Sequence, residues 1–213
     1  MNGATFNRLH SLRMENDAAG YAMDEMRPRF DRLANRHENG TAPRAVSAFQ
    51  LFQTPAPMAA RLVGLLEFSR GARVLEPSAG LGRILDALQP RQPGEVVAVE
   101  IAASCAGELF KQDRAGVRIM QRDFLACTVA DLGLFDAVAM NPPFHMRADT
   151  RHILHARSFL KVGGMLAALC LDTKHRIEAL RPLCQTWEEV PAGMFGKEGT
   201  SVATVLLTMG AQG

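Results

Sequence analysis

A short apolar run that stops at two prolines constrains this chain more than any other feature. Residues 135–140 are apolar except for one Asp and predict a buried strand, and Asn141-Pro142-Pro143-Phe144 follows them directly. Each proline lacks an amide hydrogen and fixes φ at about −65°, so the strand cannot continue in a sheet. The chain must therefore turn out at the carboxyl end of the strand, where open α/β sheets bind ligands.

The same turn carries groups that suit a planar amine. The amide oxygen of Asn141 and the backbone carbonyl of Pro142 make two acceptors, enough to hold both hydrogens of a flat –NH2 group. Phe144 offers a face on which a planar ring can stack. The alternative interpretation of these four residues is a proline-rich loop that caps a strand and buries its Phe.

Segments of strand and helix character alternate from residue 46 onward. The predicted strands are 72–76, 95–100, 117–123, 135–141, 165–171, 187–191 and 200–209. The predicted helices are 57–68, 81–88, 102–114, 150–160 and 173–184. Asp149 is expected to cap the fourth of these helices, and Gly163 and Gly164 to end it.

This order of elements predicts an α/β fold. Five strands separated by helices favour a parallel sheet with right-handed crossovers, and the last two strands, joined without a helix, favour an antiparallel pair. With 213 residues, one catalytic domain is expected at 46–213. Residues 1–45 are polar with spaced apolar side chains and predict an N-terminal helical extension.

A glycine-containing turn follows the first strand, in the order Glu76-Pro77-Ser78-Ala79-Gly80-Leu81-Gly82. Glycines let the backbone approach a ligand closely. Arg83 and Ile84 stand where a dinucleotide fingerprint would have its third glycine, which counts against NAD. Glu76 suits an ammonium better than a pyrophosphate, and Glu100, at the end of the next strand, can accept both hydroxyls of a ribose.

The two motifs together resemble class I methyltransferases that use S-adenosyl-L-methionine and carry the Asn/Asp-Pro-Pro-Tyr/Phe signature. The resemblance implies a Rossmann-like, seven-stranded, mostly parallel sheet with one antiparallel strand, from about residue 50 onward. It implies transfer of a methyl group to an exocyclic amino nitrogen. The whole chain, including Phe52-Gln53-Thr54-Pro55, is similar to small phage- and prophage-type N6-adenine methyltransferases.

The resemblance also implies roles for individual residues. The catalytic residues would be Asn141, Pro142, Pro143 and Phe144. The cofactor-binding residues would be Thr54, Pro55, Glu76, Pro77, Ser78, Gly80, Gly82, Glu100, Ile101, Asp123, Phe124 and Asn141. Asp123 would bind the adenine amino group of the cofactor and Phe124 would pack on its ring. Thr54-Pro55 would lie against the cofactor carboxylate, although Thr-Pro before a helix is also an ordinary N-terminal cap.

Several substrates remain open at this stage. Adenine N6 in DNA is favoured, RNA adenine is second, and protein glutamine is third; a catalytically silent binding subunit is the alternative from another class. Only about 70 residues follow Phe144, and the remaining strands use them. Target recognition is therefore expected from the N-terminal extension, short loops, a partner subunit or a homodimer.

Composition adds weaker constraints. The net charge is +2, and the chain has 20 Arg but only 4 Lys. Arg suits phosphate and base contacts, although codon use in a GC-rich genome explains the same bias. The start lacks a secretory signal and no apolar run approaches the ~20 residues of a membrane helix, so a cytoplasmic protein is expected.

Cys and His residues give no sign of a metal site. The four cysteines are scattered without Cys-x-x-Cys spacing and are expected to be reduced. His152 and His155 lie three residues apart on a predicted helix, without a third ligand at a suitable spacing, so no metal is predicted.

Overall fold

The computed structural model describes residues 53–190 and 203–211. All of them belong to Val46–Gly213, one of the two compact units into which the chain divides. The predicted helical extension at residues 1–45 lies outside the described residues, and so does the start of the last predicted strand.

Seven strands form one sheet in the order β3-β2-β1-β4-β5-β7-β6. They are β1 Arg73–Glu76, β2 Glu95–Glu100, β3 Val117–Gln121, β4 Phe135–Met140, β5 Leu160–Leu171, β6 Thr186–Val190 and β7 Thr204–Gly210. The first five strands are parallel, and β7 runs antiparallel to both of its neighbours, β5 and β6. The predicted mostly parallel sheet with one antiparallel strand is confirmed.

Six short α-helices flank the sheet in the described part of the chain. They are α1 Ala56–Gly64, α2 Arg83–Leu88, α3 Ala103–Lys111, α4 Val129–Leu132, α5 Ala148–Arg157 and α6 Lys174–Leu180. None of these helices is long and apolar enough to cross a lipid bilayer.

The fifth strand begins earlier than predicted. The preceding helix ends at Arg157, and Gly163 and Gly164, which were expected to end it, lie inside β5. A Cβ atom at Gly164 would lie 2.9 Å from the carbonyl oxygen of Lys161 and 3.1 Å from two carbonyl oxygens of β4. The β4–β5 register shifts at this point, so Gly164 allows a close backbone approach within the sheet.

The core lies on both faces of the sheet, because successive strand residues point to opposite sides. Val74 belongs to a cluster with the apolar faces of α1 and α2, whereas Leu75 belongs to a cluster with residues of α5 and α6. Both side chains are fully buried. The sheet is thus sandwiched between helices, which leaves its carboxyl edge as the place where polar turns meet.

Candidate functional site

A small pocket lies where the chain leaves the carboxyl ends of β1 and β4. Its lining residues are Gln53, Thr54, Glu76, Ser78, Ala79, Gly80, Leu81, Arg83, Ile84 and Asn141. Five of the predicted site residues, Thr54, Glu76, Ser78, Gly80 and Asn141, therefore meet around one cavity. They come from sequence positions up to 87 residues apart.

The glycine turn adopts a backbone that other residues rarely adopt. Gly80 has a φ of 54° and Gly82 a φ of 86°. The Gly80 amide donates to Oε2 of Glu100 at 2.7 Å, and the Ala102 amide donates to Oε1 of the same carboxylate at 2.7 Å. Glu100, expected to hold a ribose, therefore also ties the turn to the segment that precedes α3.

Glu76 ends β1 and is only 1% exposed, and its Oε2 atom has no hydrogen-bond partner among the described residues. Burial raises its pKa well above the ordinary value, and the positive charge of Arg114 offsets part of this rise. Arg114 donates to Asp86 at 2.6 Å, while its Nη1 atom is buried near Gly82 with no partner in the part of the chain that the structure describes. No local pattern around Arg114 predicted that its side chain reaches this turn.

The amide of Asn141 is held in one orientation. Its Nδ2 atom donates to the hydroxyl of Thr54 at 3.0 Å, and Thr54 is 5% exposed. The N-cap of α1 is Pro55, without a side-chain cap bond, so the Thr54 hydroxyl serves Asn141 instead of the helix. The Oδ1 atom of Asn141 is buried beside the pocket and has no partner among the described residues. It is a fixed acceptor available to a ligand.

A buried ion pair anchors the turn after Asn141. Arg176 donates from Nε to Oδ2 of Asp149 at 2.6 Å and from Nη2 to the backbone carbonyl of Phe144 at 3.1 Å. Asp149 was expected to cap α5, but the N-cap is Arg147, and Asp149 is fully buried in the first turn. Its carboxylate faces inward, toward Arg176, because α5 packs against the end of β5. The pair fixes Phe144, which is half-buried.

The residues predicted around the cofactor adenine are arranged differently from expectation. β3 ends at Gln121, and Asp123 caps a 3-10 turn by accepting from the Leu125 amide at 3.0 Å. Phe124 is 2% exposed and its ring lies 5.4 Å from that of Phe159. Phe124 therefore packs in the core, and its contact with the cofactor adenine stays a prediction. Ile101 is 67% exposed and remains available.

The two α5 histidines pack around the same core ring. The ring centroids of His152 and His155 lie 5.8 and 4.9 Å from that of Phe124. Burial lowers the pKa of His152 to about 4, and His155 Nε2 lies 3.0 Å from the carbonyl oxygen of Cys127. Residues 53–190 and 203–211 contain no group of three or more potential metal ligands. The four cysteines are free.

Comparison with known families identifies the class to which this fold and site belong. Residues 58–195 match the model of the Methyltransferase small domain, so the chain belongs to this family. The chain is an S-adenosylmethionine-dependent methyltransferase. No curated protein matches it.

Solved structures share the fold. PH1948 of Pyrococcus horikoshii, a candidate RNA methyltransferase, superposes with a TM-score of 0.61 at 16% identity, over 76% of this chain and 87% of that one. TrmN of Thermus thermophilus gives 0.60 at 21% identity, over 78% and 51%. The T. thermophilus 16S rRNA N2 G1207 methyltransferase RsmC, solved with AdoMet and guanosine, gives 0.55 at 18% identity, over 77% and 45%. These identities establish a common fold only.

Proposed function

We propose that this methyltransferase modifies the N6 amino group of adenine in a nucleic acid, with DNA as the first substrate to test. One observation carries the proposal: the Oδ1 atom of Asn141 is buried, Thr54 fixes the amide, and no described residue is a hydrogen-bond partner of this oxygen. A fixed, unpaired acceptor next to a cofactor loop is suited to a donor with two hydrogens on one nitrogen.

The residues around the pocket fit S-adenosylmethionine. The unpartnered carboxyl oxygen of Glu76 suits the ammonium of its methionine part, and the left-handed turn at Gly80 lets backbone approach it. Glu100 retains lone pairs for ribose hydroxyls, and the exposed Ile101 side chain offers apolar surface to adenine. When bound, the cofactor supplies an electrophilic methyl group on a sulfonium.

Two acceptors prepare the target nitrogen in this proposal. The Asn141 amide oxygen and the Pro142 carbonyl accept the two amino hydrogens and draw the nitrogen out of conjugation with its ring. The nitrogen–carbon bond forms as the sulfur–carbon bond breaks, and the nitrogen then releases its extra proton to water. No strong base is needed, because positioning and electrostatics supply the rate.

Phe144 completes the proposed substrate site. Its ring would stack on the target base, and Pro143 keeps the turn rigid between it and the acceptors. A base inside a duplex must leave the stack to reach this position. Arg176 donates to the Phe144 carbonyl at 3.1 Å, which fixes the backbone that carries this ring.

RNA is the second candidate, since the superposable structures include enzymes named for tRNA and rRNA methylation. DNA stands first because the Asn-Pro-Pro-Phe signature and the Gln53-Thr54-Pro55 segment resemble small phage-type adenine methyltransferases. The N-terminal extension, short loops, a partner subunit or a homodimer would supply target recognition in either case.

Tritiated S-adenosylmethionine with separate pools of DNA, RNA and protein tests the proposal, followed by mass spectrometry of the digested product. We expect label in N6-methyladenine. Label only in protein, or in another nucleoside, would contradict the assignment. Cofactor binding by calorimetry without label in any pool would support the silent binding subunit.

The acceptor itself is tested by Asn141→Ala. We expect kcat to fall about a hundredfold, because one preorganised acceptor is lost, while the calorimetric affinity for S-adenosylmethionine stays within about threefold. Thr54→Val, which frees the amide to rotate, should lower kcat by about tenfold, and Thr54→Ser should restore it. Wild-type turnover by Asn141→Ala would rule out the mechanism.

A further inference from the structure

The loop directly after Phe144 presents one apolar side chain to solvent. Met146 is 87% exposed, and its neighbours His145 and Arg147 are exposed as well. Isolated apolar residues are common on protein surfaces. This one stands two residues from the proposed base-stacking ring, at the edge of the sheet where the substrate would enter.

The backbone at Met146 adopts an unfavourable, left-handed conformation, and the side chain points to solvent. Met146 has φ and ψ of 47° and 34°, and Arg147 has 59° and 28°, so two successive residues with side chains are left-handed. Such residues persist only where the surrounding structure fixes them, and they concentrate at functional sites.

The surrounding structure fixes both ends of the loop. Arg176 holds the Phe144 carbonyl on one side, and the buried residues Ala148 and Asp149 follow on the other. Only three residues project between these anchors. The tip is therefore a short, rigid projection and has little freedom to fold its Met back onto the core.

Basic side chains surround this projection. Arg147 Nη1 lies 3.2 Å from Nε2 of His175, and Arg151 and Lys174 are exposed in the first turns of α5 and α6. Of the nearby acidic residues, Asp172 is half-buried and Glu178 lies 3.9 Å from Lys174. Asp123 is exposed and lies close enough to His152 of α5 to raise its pKa. The exposed charge is thus mainly positive, which suits the phosphates on either side of a stacked base.

We propose that Met146 is a wedge that enters the base stack beside the target adenine, and that the enzyme draws this base from a base-paired segment. The inference rests on the proposed function. Extruding a base leaves a gap in the stack, and an apolar side chain inserted there replaces part of the lost stacking. A single-stranded target has no such gap to fill.

The test compares paired and unpaired forms of one substrate. Once mass spectrometry has mapped a methylated adenine, an oligonucleotide spanning it is assayed alone and annealed to its complement, with wild type and Met146→Ala. We expect the variant to lose about tenfold or more in kcat/KM on the annealed form and to stay within about twofold on the single strand. Met146→Leu should restore the annealed activity.

Val162→Ala is the matched control, because Val162 is 99% exposed but lies near the start of β5, at the opposite edge of the sheet. It should match wild type on both forms. The wedge is ruled out if Met146→Ala loses kcat/KM equally on both forms or loses it on neither. It is also ruled out if the wild type methylates only the single strand. A wild type that labels no nucleic acid would overturn the proposed function together with it.

Discussion

The two edges of the sheet treat polar side chains in opposite ways. At the amino edge, charged residues in the first two positions of their strands form ion pairs. Arg73 Nε lies 2.5 Å from Glu95, and Lys161 Nζ lies 2.9 Å from both oxygens of Asp136. At the carboxyl edge, Glu76, Asn141 and Asp172 each bury a side-chain oxygen without a partner among the described residues.

This difference indicates that polar side chains at the amino edge serve stability, whereas those at the carboxyl edge serve ligand binding. A buried polar atom without a partner destabilises the fold, so a protein keeps one only where another requirement outweighs that effect. Here the unpaired oxygens lie at the edge where the methyl donor and acceptor would meet. At the amino edge, the paired charges of Arg73, Glu95, Asp136 and Lys161 contribute to the stability of the fold instead.

The largest effect is expected at the buried charge pair of the carboxyl edge, Arg176 and Asp149. Arg176→Met leaves Asp149 buried without its partner and should lower the free energy of unfolding by about 3–5 kcal/mol, measured by urea denaturation. Asp149→Leu combined with Arg176→Met removes both charges and should recover most of this stability. Its methyl transfer should stay low, because the Phe144 carbonyl still lacks its donor. Full activity in the double variant would show that the pair does not position the loop.

Glu76→Gln should change stability less than Arg176→Met does. It should raise the melting temperature of the protein but weaken its binding of S-adenosylmethionine. Burial raises the pKa of Glu76 in the folded protein, so the unfolded chain releases this proton first as the pH rises above the ordinary value of 4.5. Wild-type stability therefore falls over that range until the folded pKa is passed. The variant should lack this fall and melt about 2–4 °C higher near neutral pH, equivalent to ~1 kcal/mol.

The same variant should lose the rise in melting temperature that S-adenosylmethionine gives the wild type, because the ammonium would lose its carboxylate. Thermal unfolding between pH 5 and 8, with and without cofactor, measures both effects. If S-adenosylmethionine still raises the melting temperature of Glu76→Gln, the ammonium group binds to another residue.

The smallest effect is expected at the amino edge. The Lys161 and Asp136 side chains are 44% and 36% exposed, so Lys161→Ala should lower the free energy of unfolding by less than about 1 kcal/mol. Methyl transfer should be unchanged. A loss of methyl transfer in this variant would contradict the interpretation that the amino edge serves stability alone.

Local signals predicted the strands and turns well. The Pro142-Pro143 turn and the glycines after β1 act on their own backbone, so their effect is visible in the sequence itself. Thr54 and Asn141 were each predicted to lie in the site for separate reasons, but their hydrogen bond spans 87 residues and no local pattern encodes it.

The incorrect predictions share a physical cause. Asp149 has a residue type and position that fit a helix cap, and only tertiary packing of Arg176, 27 residues later, draws it into the interior. Gly163 and Gly164 resemble a helix end, but neighbouring carbonyl oxygens in β4 require a glycine within the strand. The third strand was predicted to end at Asp123, but it ends two residues earlier, at Gln121, because a 3-10 turn begins at Phe124 and buries that ring.

The position of β7 has a consequence for how the protein is made. β7 follows β6 in the chain but lies between β5 and β6, and it pairs with seven consecutive residues of β5. During synthesis on the ribosome, β5 is therefore an unpaired edge strand of largely apolar residues until β7 has been made and can pair with it. Open apolar edges pair readily with other chains, so we expect newly made molecules to be most prone to aggregation before β7 has joined β5.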